Sequence, residues 1–193
     1  FIKKGLAIAI MNIMLKGFTR LLLLFFFISS NLQAKVDWRT TTFENKDHFL
    51  KYISACILEV NKELPIEQKV SDELVVATAV LESAWGTSRF ALEGNNLYGI
   101  KTWTRTGPNM LPLENQGANF SVRVFHTKCD SVKEYVRILN NHPAHKDFRT
   151  KRLETKNALY LAPFLNNYSE LGEEYTKRLV SVIQYIRKHY DIK

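Results

Sequence analysis

The sequence predicts an α+β fold, a mostly helical single domain with one small β-hairpin excursion. Apolar residues recur at steps of three and four over residues 43–64, and a second segment, 71–86, is apolar almost throughout. Between Gly94 and Thr127 the texture changes to Gly, Asn, Pro and β-formers before helical periodicity returns.

In the first segment Phe49, Ile53, Cys56, Ile57, Val60 and Leu64 line one face with charged residues between them, giving an amphipathic helix that Pro65 stops. Ser71 stands where it can cap a second helix running through Val75, Val76, Ala79 and Val80 to near Gly86. A helix this apolar belongs at the centre of the domain. Alternation in Phe120-Ser121-Val122-Arg123-Val124-Phe125 predicts a strand, paired with another across a long turn at Thr106, Gly107, Pro108 and Asn109. Ser131 and Glu134 have capping-box spacing ahead of Tyr135, Val136, Ile138 and Leu139. Pro143 opens a segment through Phe148 and Leu153, residues 157–165 fit a further helix, and the last helix runs from about Glu173 through Tyr175, Leu179, Ile183 and Ile186.

With 193 residues, 46% of them hydrophobic and 24% charged, the chain can bury a real core, and collagen-like, coiled-coil and low-complexity classes are excluded. Its 27 Lys+Arg against 19 Asp+Glu give a net charge of +8. Part of that charge belongs to the start of the chain. Lys16 and Arg20 precede the apolar run from Leu21 to Ile28, and a polar exit ends in Ala34, which together read as a secretory signal over residues 1–34 followed by a domain over 35–193. An uncleaved anchor is the alternative, since residues 6–15 are also apolar, and Met14 would begin a compact signal with residues 1–13 upstream of it. Removing Lys3, Lys4, Lys16 and Arg20 leaves 23 basic against 19 acidic residues, a net +4 that suits loose attraction to an anionic polymer. In an exported compartment Cys56 and Cys129 can pair, or Cys56 can stay a buried thiol on its apolar stripe.

One residue breaks the pattern. Glu82 lies seven residues after Val75, four after Thr78 and three after Ala79, on an apolar stripe and in the last turn, where the helix dipole disfavours an anion. Both effects raise a carboxyl pKa, as a general acid for glycosidic cleavage requires. Near it in sequence, Trp85, Tyr98 and Trp103 offer flat faces and Asn95 and Asn96 offer amides suited to hydroxyl and acetamido groups, the elements of a sugar-binding cleft. His142, His145 and Asp147 lack the spacing of a zinc helix and read as surface residues around Pro143. With no Gly-rich phosphate loop or nucleophile elbow, neither a cofactor, a metal nor a nucleic-acid partner is expected.

The runs Ala79-Val80-Leu81-Glu82-Ser83-Ala84-Trp85-Gly86-Thr87-Ser88 and Gly94-Asn95-Asn96-Leu97-Tyr98-Gly99-Ile100-Lys101 resemble the signature of the glucosaminidase family, glycoside hydrolase family seventy-three. Asp130-Ser131-Val132-Lys133-Glu134-Tyr135, Leu139-Asn140-Asn141-His142-Pro143-Ala144 and the segment from Leu165 to Tyr175 extend the resemblance to the Bax-type branch of secreted bacterial proteins, over nearly all of residues 43–190. The resemblance implies a lysozyme-like fold and hydrolysis of the β-1,4 bond after N-acetylglucosamine in peptidoglycan glycan strands. The domain is expected to act as a monomer that meets the membrane only through its signal segment, in the periplasm, with an extracellular or N-terminally anchored protein as the alternative. It places the catalytic acid on Glu82 and a substrate- or water-holding tyrosine on Tyr168, while Tyr175 matches a second tyrosine that packs. In family members with a second acid, that acid lies some thirty to forty residues further on, where Glu114 is the carboxylate; substrate-assisted cleavage through the sugar's own acetamido group is the alternative to it. For the function as a whole the alternatives are cutting on the muramic acid side and a non-catalytic cell-wall-binding protein.

Overall fold

The computed structural model describes residues 42–104, 106–113 and 117–191. The expected signal segment and Glu114 therefore lie outside the described residues.

Helix α1 spans Lys46–Lys62, its first turn capped by Asn45, whose side chain accepts from the His48 amide at 2.8 Å. It begins three residues after Phe43, whose ring instead packs against Phe49 at 4.8 Å and Tyr52 at 5.3 Å. Pro65 ends the helical run as expected, and a 3-10 turn at Ile66–Gln68 leads into α2, Asp72–Ser83. Ser71 precedes α2 but its hydroxyl caps nothing; Asp72 and Glu73 in the first turn meet the helix dipole instead. Every residue of α2 from Leu74 to Val80 is buried, which is why the segment is apolar on all sides.

A short helix, α3 at Arg89–Gly94, was invisible to periodicity because six residues make fewer than two turns. The β-excursion holds three strands rather than two: β1 Lys101–Thr102, β2 Asn109–Met110 and β3 Ser121–Arg123, antiparallel in the order β1-β3-β2. Asn109, expected in the turn, opens β2 opposite Arg123.

Helix α4, Lys128–Asn141, starts a turn earlier than the capping box expected at Ser131 and Glu134. The box is built by Thr127 and Asp130: the Thr127 hydroxyl accepts from the Asp130 amide at 3.1 Å and Asp130 accepts from the Thr127 amide at 2.9 Å. Ser131 is buried and takes the Leu97 amide, and Glu134 pairs with Arg123 and Arg137. A 3-10 turn at Pro143–His145 leads to α5, Lys146–Lys151; α6, Ala158–Leu161, runs into a 3-10 segment, Ala162–Tyr168; and α7 spans Glu173–His189. Helices α1 and α7 pack on α2, α4 packs on α1, and the 3-10 segment 162–168 packs on α7. The core that results includes Phe49, Ile53, Leu74, Val75, Tyr135, Leu139, Leu179 and Ile183.

Cys56 on α1 and Cys129 on α4 form a disulfide, with Cα atoms 5.3 Å apart across 73 residues of sequence. A loop of that length makes the bond's reduction expensive in unfolded-state entropy. Reduction, or Cys56→Ser with Cys129→Ser, is expected to lower stability by about 2–4 kcal/mol, read as a shift in the urea unfolding midpoint at constant slope.

Candidate active site

Helix α2 ends in an unusual way one residue beyond Glu82. Ala84, Trp85 and Gly86 take φ values of 50°, 62° and 79°, three consecutive left-handed residues of which two carry a Cβ. Ser83 holds this turn from both sides: its hydroxyl donates to the Ala79 carbonyl at 2.5 Å and accepts the Gly86 amide at 2.8 Å. Gly86 is required twice over, by its φ and because a Cβ there would lie 2.5 Å from the Phe43 ring. The turn stops the helix abruptly, so that Glu82 occupies its last turn and the chain leaves sideways.

Glu82 lines a cleft of about 730 Å3 together with Tyr98, Gly99, Lys101, Trp103, His145, Asn167, Tyr168 and Glu170 among others. Gly99, at φ 62°, brings its backbone against the acid: a Cβ added there would stand 3.5 Å from Glu82 Oε2. Burial pushes the Glu82 carboxyl from its ordinary 4.5 up to about 7, with the Tyr175 hydroxyl and the Lys101 cation opposing the rise. Three tyrosines, Tyr135, Tyr168 and Tyr175, stand near enough for Glu82 to push their phenols up in turn. Tyr135 stacks on Tyr98 with centroids 4.3 Å apart and meets Tyr168 edge-on at 5.3 Å.

The structure brings some of the sequence-predicted site residues together and sends others elsewhere. Glu82, Tyr98 and Tyr168 share the cleft wall. Tyr98, however, is only 1% exposed, so its ring supports the cleft rather than offering a face to a sugar. The Tyr168 hydroxyl donates to the Tyr98 carbonyl at 2.7 Å, which commits its proton to the protein. Trp85 turns away from the cleft, packing on Phe49, Tyr185 and Tyr190 beneath the Lys46 ammonium. Asn95 and Asn96 correct the expectation of sugar-binding amides. Asn95 donates to the Phe125 and His126 carbonyls and accepts from Lys128. Asn96 donates to the Ile100 and Arg123 carbonyls and accepts the Tyr98 and Ile100 amides, leaving no capacity for a ligand. Asn96 pins the segment 95–101 to β3, and Asn95 pins it to the stretch that follows β3. His145 is also corrected: it is buried, not superficial, and burial with the nearby His142 and Arg149 lowers its pKa to about 4, so it is neutral.

Lys101, Asn167 and Glu170 were not singled out from sequence. Lys101 and Glu170 join across the cleft at 3.0 Å, an ion pair between strand β1 and the loop before α7 that 69 residues of sequence conceal. Trp103, 69% exposed at the cleft, is the aromatic face that the neighbourhood of Glu82 does present.

A family model described as "Glucosaminidase: Mannosyl-glycoprotein endo-beta-N-acetylglucosaminidase" matches residues 59–188, which include every described residue of this cleft. The chain belongs to the glucosaminidase family. It carries, accordingly, a glycoside hydrolase domain. The Escherichia coli (strain K12) protein bax is 31% identical over 121 residues, covering 60% of this chain and 42% of that protein, so the chain spans less than half of this relative's length. Among solved structures, the catalytic domain of the autolysin Auto from Listeria monocytogenes superposes with a TM-score of 0.58 at 21% identity, over 76% of this chain and 87% of that one. The glycoside hydrolase domain of Salmonella typhimurium FlgJ, truncated at its C-terminus, does so at 0.54 and 24% identity, over 75% and 99%. These likenesses establish that the glucosaminidase domain has the mostly helical α+β fold, lysozyme-like in class, that the sequence predicts.

The raised pKa of Glu82 has a consequence for stability that needs no substrate. An unfolded glutamate ionises near 4.5 and the folded one near 7, so between these values the folded glucosaminidase domain binds the extra proton and loses stability as pH rises. Glu82→Gln keeps the shape without the charge. Its Tm is expected to match that of the parent protein near pH 4 and to exceed it increasingly up to about pH 7, as thermal unfolding across that range would read.

Proposed function

We propose that the protein is an exported peptidoglycan hydrolase, an endo-β-N-acetylglucosaminidase that cleaves the β-1,4 bond after N-acetylglucosamine with Glu82 as general acid. The observation that carries this reading is a single carboxyl group, on a wall of a cleft of about 730 Å3, whose burial keeps it protonated up to about pH 7. The family's description as an endo-β-N-acetylglucosaminidase supports a cut after N-acetylglucosamine, and the fold shared with the catalytic domain of the autolysin Auto supports a cell-wall substrate.

A glycan strand laid in the cleft presents its glycosidic oxygen to Glu82, which gives up its proton as the bond to the anomeric carbon breaks. Positive charge then develops on the sugar ring while the Glu82 carboxylate becomes negative. Trp103 gives a sugar ring an apolar face at the mouth. Among the described residues, the other carboxylate lining the cleft is Glu170, which is engaged by Lys101. Glu114, in the stretch between β2 and β3, is proposed as the second carboxylate, with the substrate acetamido group as the alternative if Glu114→Gln retains activity. Residues 1–34 are proposed to export the domain to the periplasm, where it acts as a monomer; no described helix is long and apolar enough to cross a membrane.

Glu82→Gln is expected to abolish release of muropeptides from purified peptidoglycan while the far-ultraviolet spectrum stays unchanged. Mass spectrometry of the parent protein's products should find N-acetylglucosamine at the reducing end; muramic acid or its anhydro form there would move the reading to a muramidase or a lytic transglycosylase. Because the acid must be protonated, activity should fall as pH rises through about 7. Trp103→Ala is expected to raise KM for glycan strands by about tenfold with a smaller change in kcat.

A further inference from the structure

Tyr175 lies in the first turn of α7 and is 2% exposed. Its hydroxyl is buried and has no hydrogen bond of ordinary geometry among the described residues. Such an orphan is uncommon, because a buried hydroxyl loses its water without compensation and phenylalanine would fill the same space at no such cost. The packing role that the sequence suggests for Tyr175 therefore explains its ring but not its oxygen.

The oxygen has a neighbour. The Tyr175 hydroxyl favours the ionised form of Glu82, and Glu82, with burial, holds the Tyr175 phenol far above its usual range, so that Tyr175 is always a protonated donor. The other tyrosines near the acid have spent their protons: Tyr168 on the Tyr98 carbonyl at 2.7 Å and Tyr135 on the Thr78 hydroxyl at 3.1 Å. Lys101, from β1, is drawn to Glu170 at 3.0 Å and lies over the Phe120 ring, and the remaining titratable groups on the cleft wall are His142 and His145. Among the tyrosines near Glu82, then, the one hydroxyl without a partner of ordinary geometry is that of Tyr175.

We propose that Tyr175 is the positioning residue of Glu82, donating a hydrogen bond to one carboxylate oxygen as the other gives its proton to the glycosidic oxygen. While Glu82 is neutral the contact is weak and the hydroxyl waits. Once the proton has left, a negative charge stands in a poorly hydrated place, and a protonated hydroxyl close by stabilises the charged state more than the ground state. The same contact fixes which oxygen faces the cleft. This role rests on Glu82 being the acid.

The test is a carbon-13 NMR titration of the Glu82 carboxyl, assigned with Glu82→Gln, in the parent protein and in Tyr175→Phe, together with pH profiles of kcat and KM on peptidoglycan. Removing the donor should raise the Glu82 midpoint and the alkaline limb of kcat together, by about one pH unit. It should lower kcat about tenfold with little change in KM, and leave Tm equal or higher because an unpaired hydroxyl has been removed. An unmoved or lowered midpoint, or a Tm that falls because the hydroxyl holds the fold, overturns the role of Tyr175. A Glu82→Gln protein that still cleaves overturns the proposed function instead, so the two failures are told apart.

Discussion

Glu82 carries a carboxyl group whose charge the surrounding structure solvates poorly. Burial raises its pKa to about 7, and the elements around it are arranged to keep it so without sealing it from the cleft. Helix α2 is central, its last turn reaches the cleft wall, and it ends at once after Glu82 and Ser83. The left-handed run Ala84-Trp85-Gly86 makes that end, and its conformational cost is offset by the Ser83 hydrogen bonds and by the packing of Trp85 on α1 and α7.

The opposite wall meets the same constraint by a different route. Asn96 and Asn95 spend their side chains on backbone groups of β3 and the segment after it, which fixes Gly99 against Glu82 and points Lys101 and Trp103 along the cleft. Behind the acid, the stacked Tyr98 and Tyr135 and the edge-on Tyr168 form an aromatic floor in which each of these hydroxyls bonds to the protein. Tyr135 belongs to α4, which the disulfide ties to α1. The covalent bond thus steadies a helix that contributes to the floor of the site.

Much of this was legible in the chain. The period of α1, α4 and α7 and the all-round apolarity of α2 are local properties, set by which residues recur every three or four positions. The misplacement of Glu82 on an apolar stripe showed in the same pattern. Proximity in sequence to Glu82 does not bring Trp85, Asn95 and Asn96 into the lining of the cleft. One residue past a helix that stops in a left-handed turn, the chain points elsewhere, and an amide suited to an acetamido group is equally suited to a peptide group. The capping box slipped by one turn because Thr127 and Asp130 have the same spacing as Ser131 and Glu134, and only the packing of Ser131 against Leu97 chooses between them.

By itself the sequence determined the helices, the excursion between them, the family and the candidate acid, because each is written in residues close together along the chain. Tertiary structure alone decided the pairing of Cys56 with Cys129, the ion pair of Lys101 with Glu170, and which tyrosine keeps a free hydroxyl beside Glu82. Those depend on groups separated by 69 to 93 positions, and no local pattern records which of many polar partners a folded chain will bring within bonding distance.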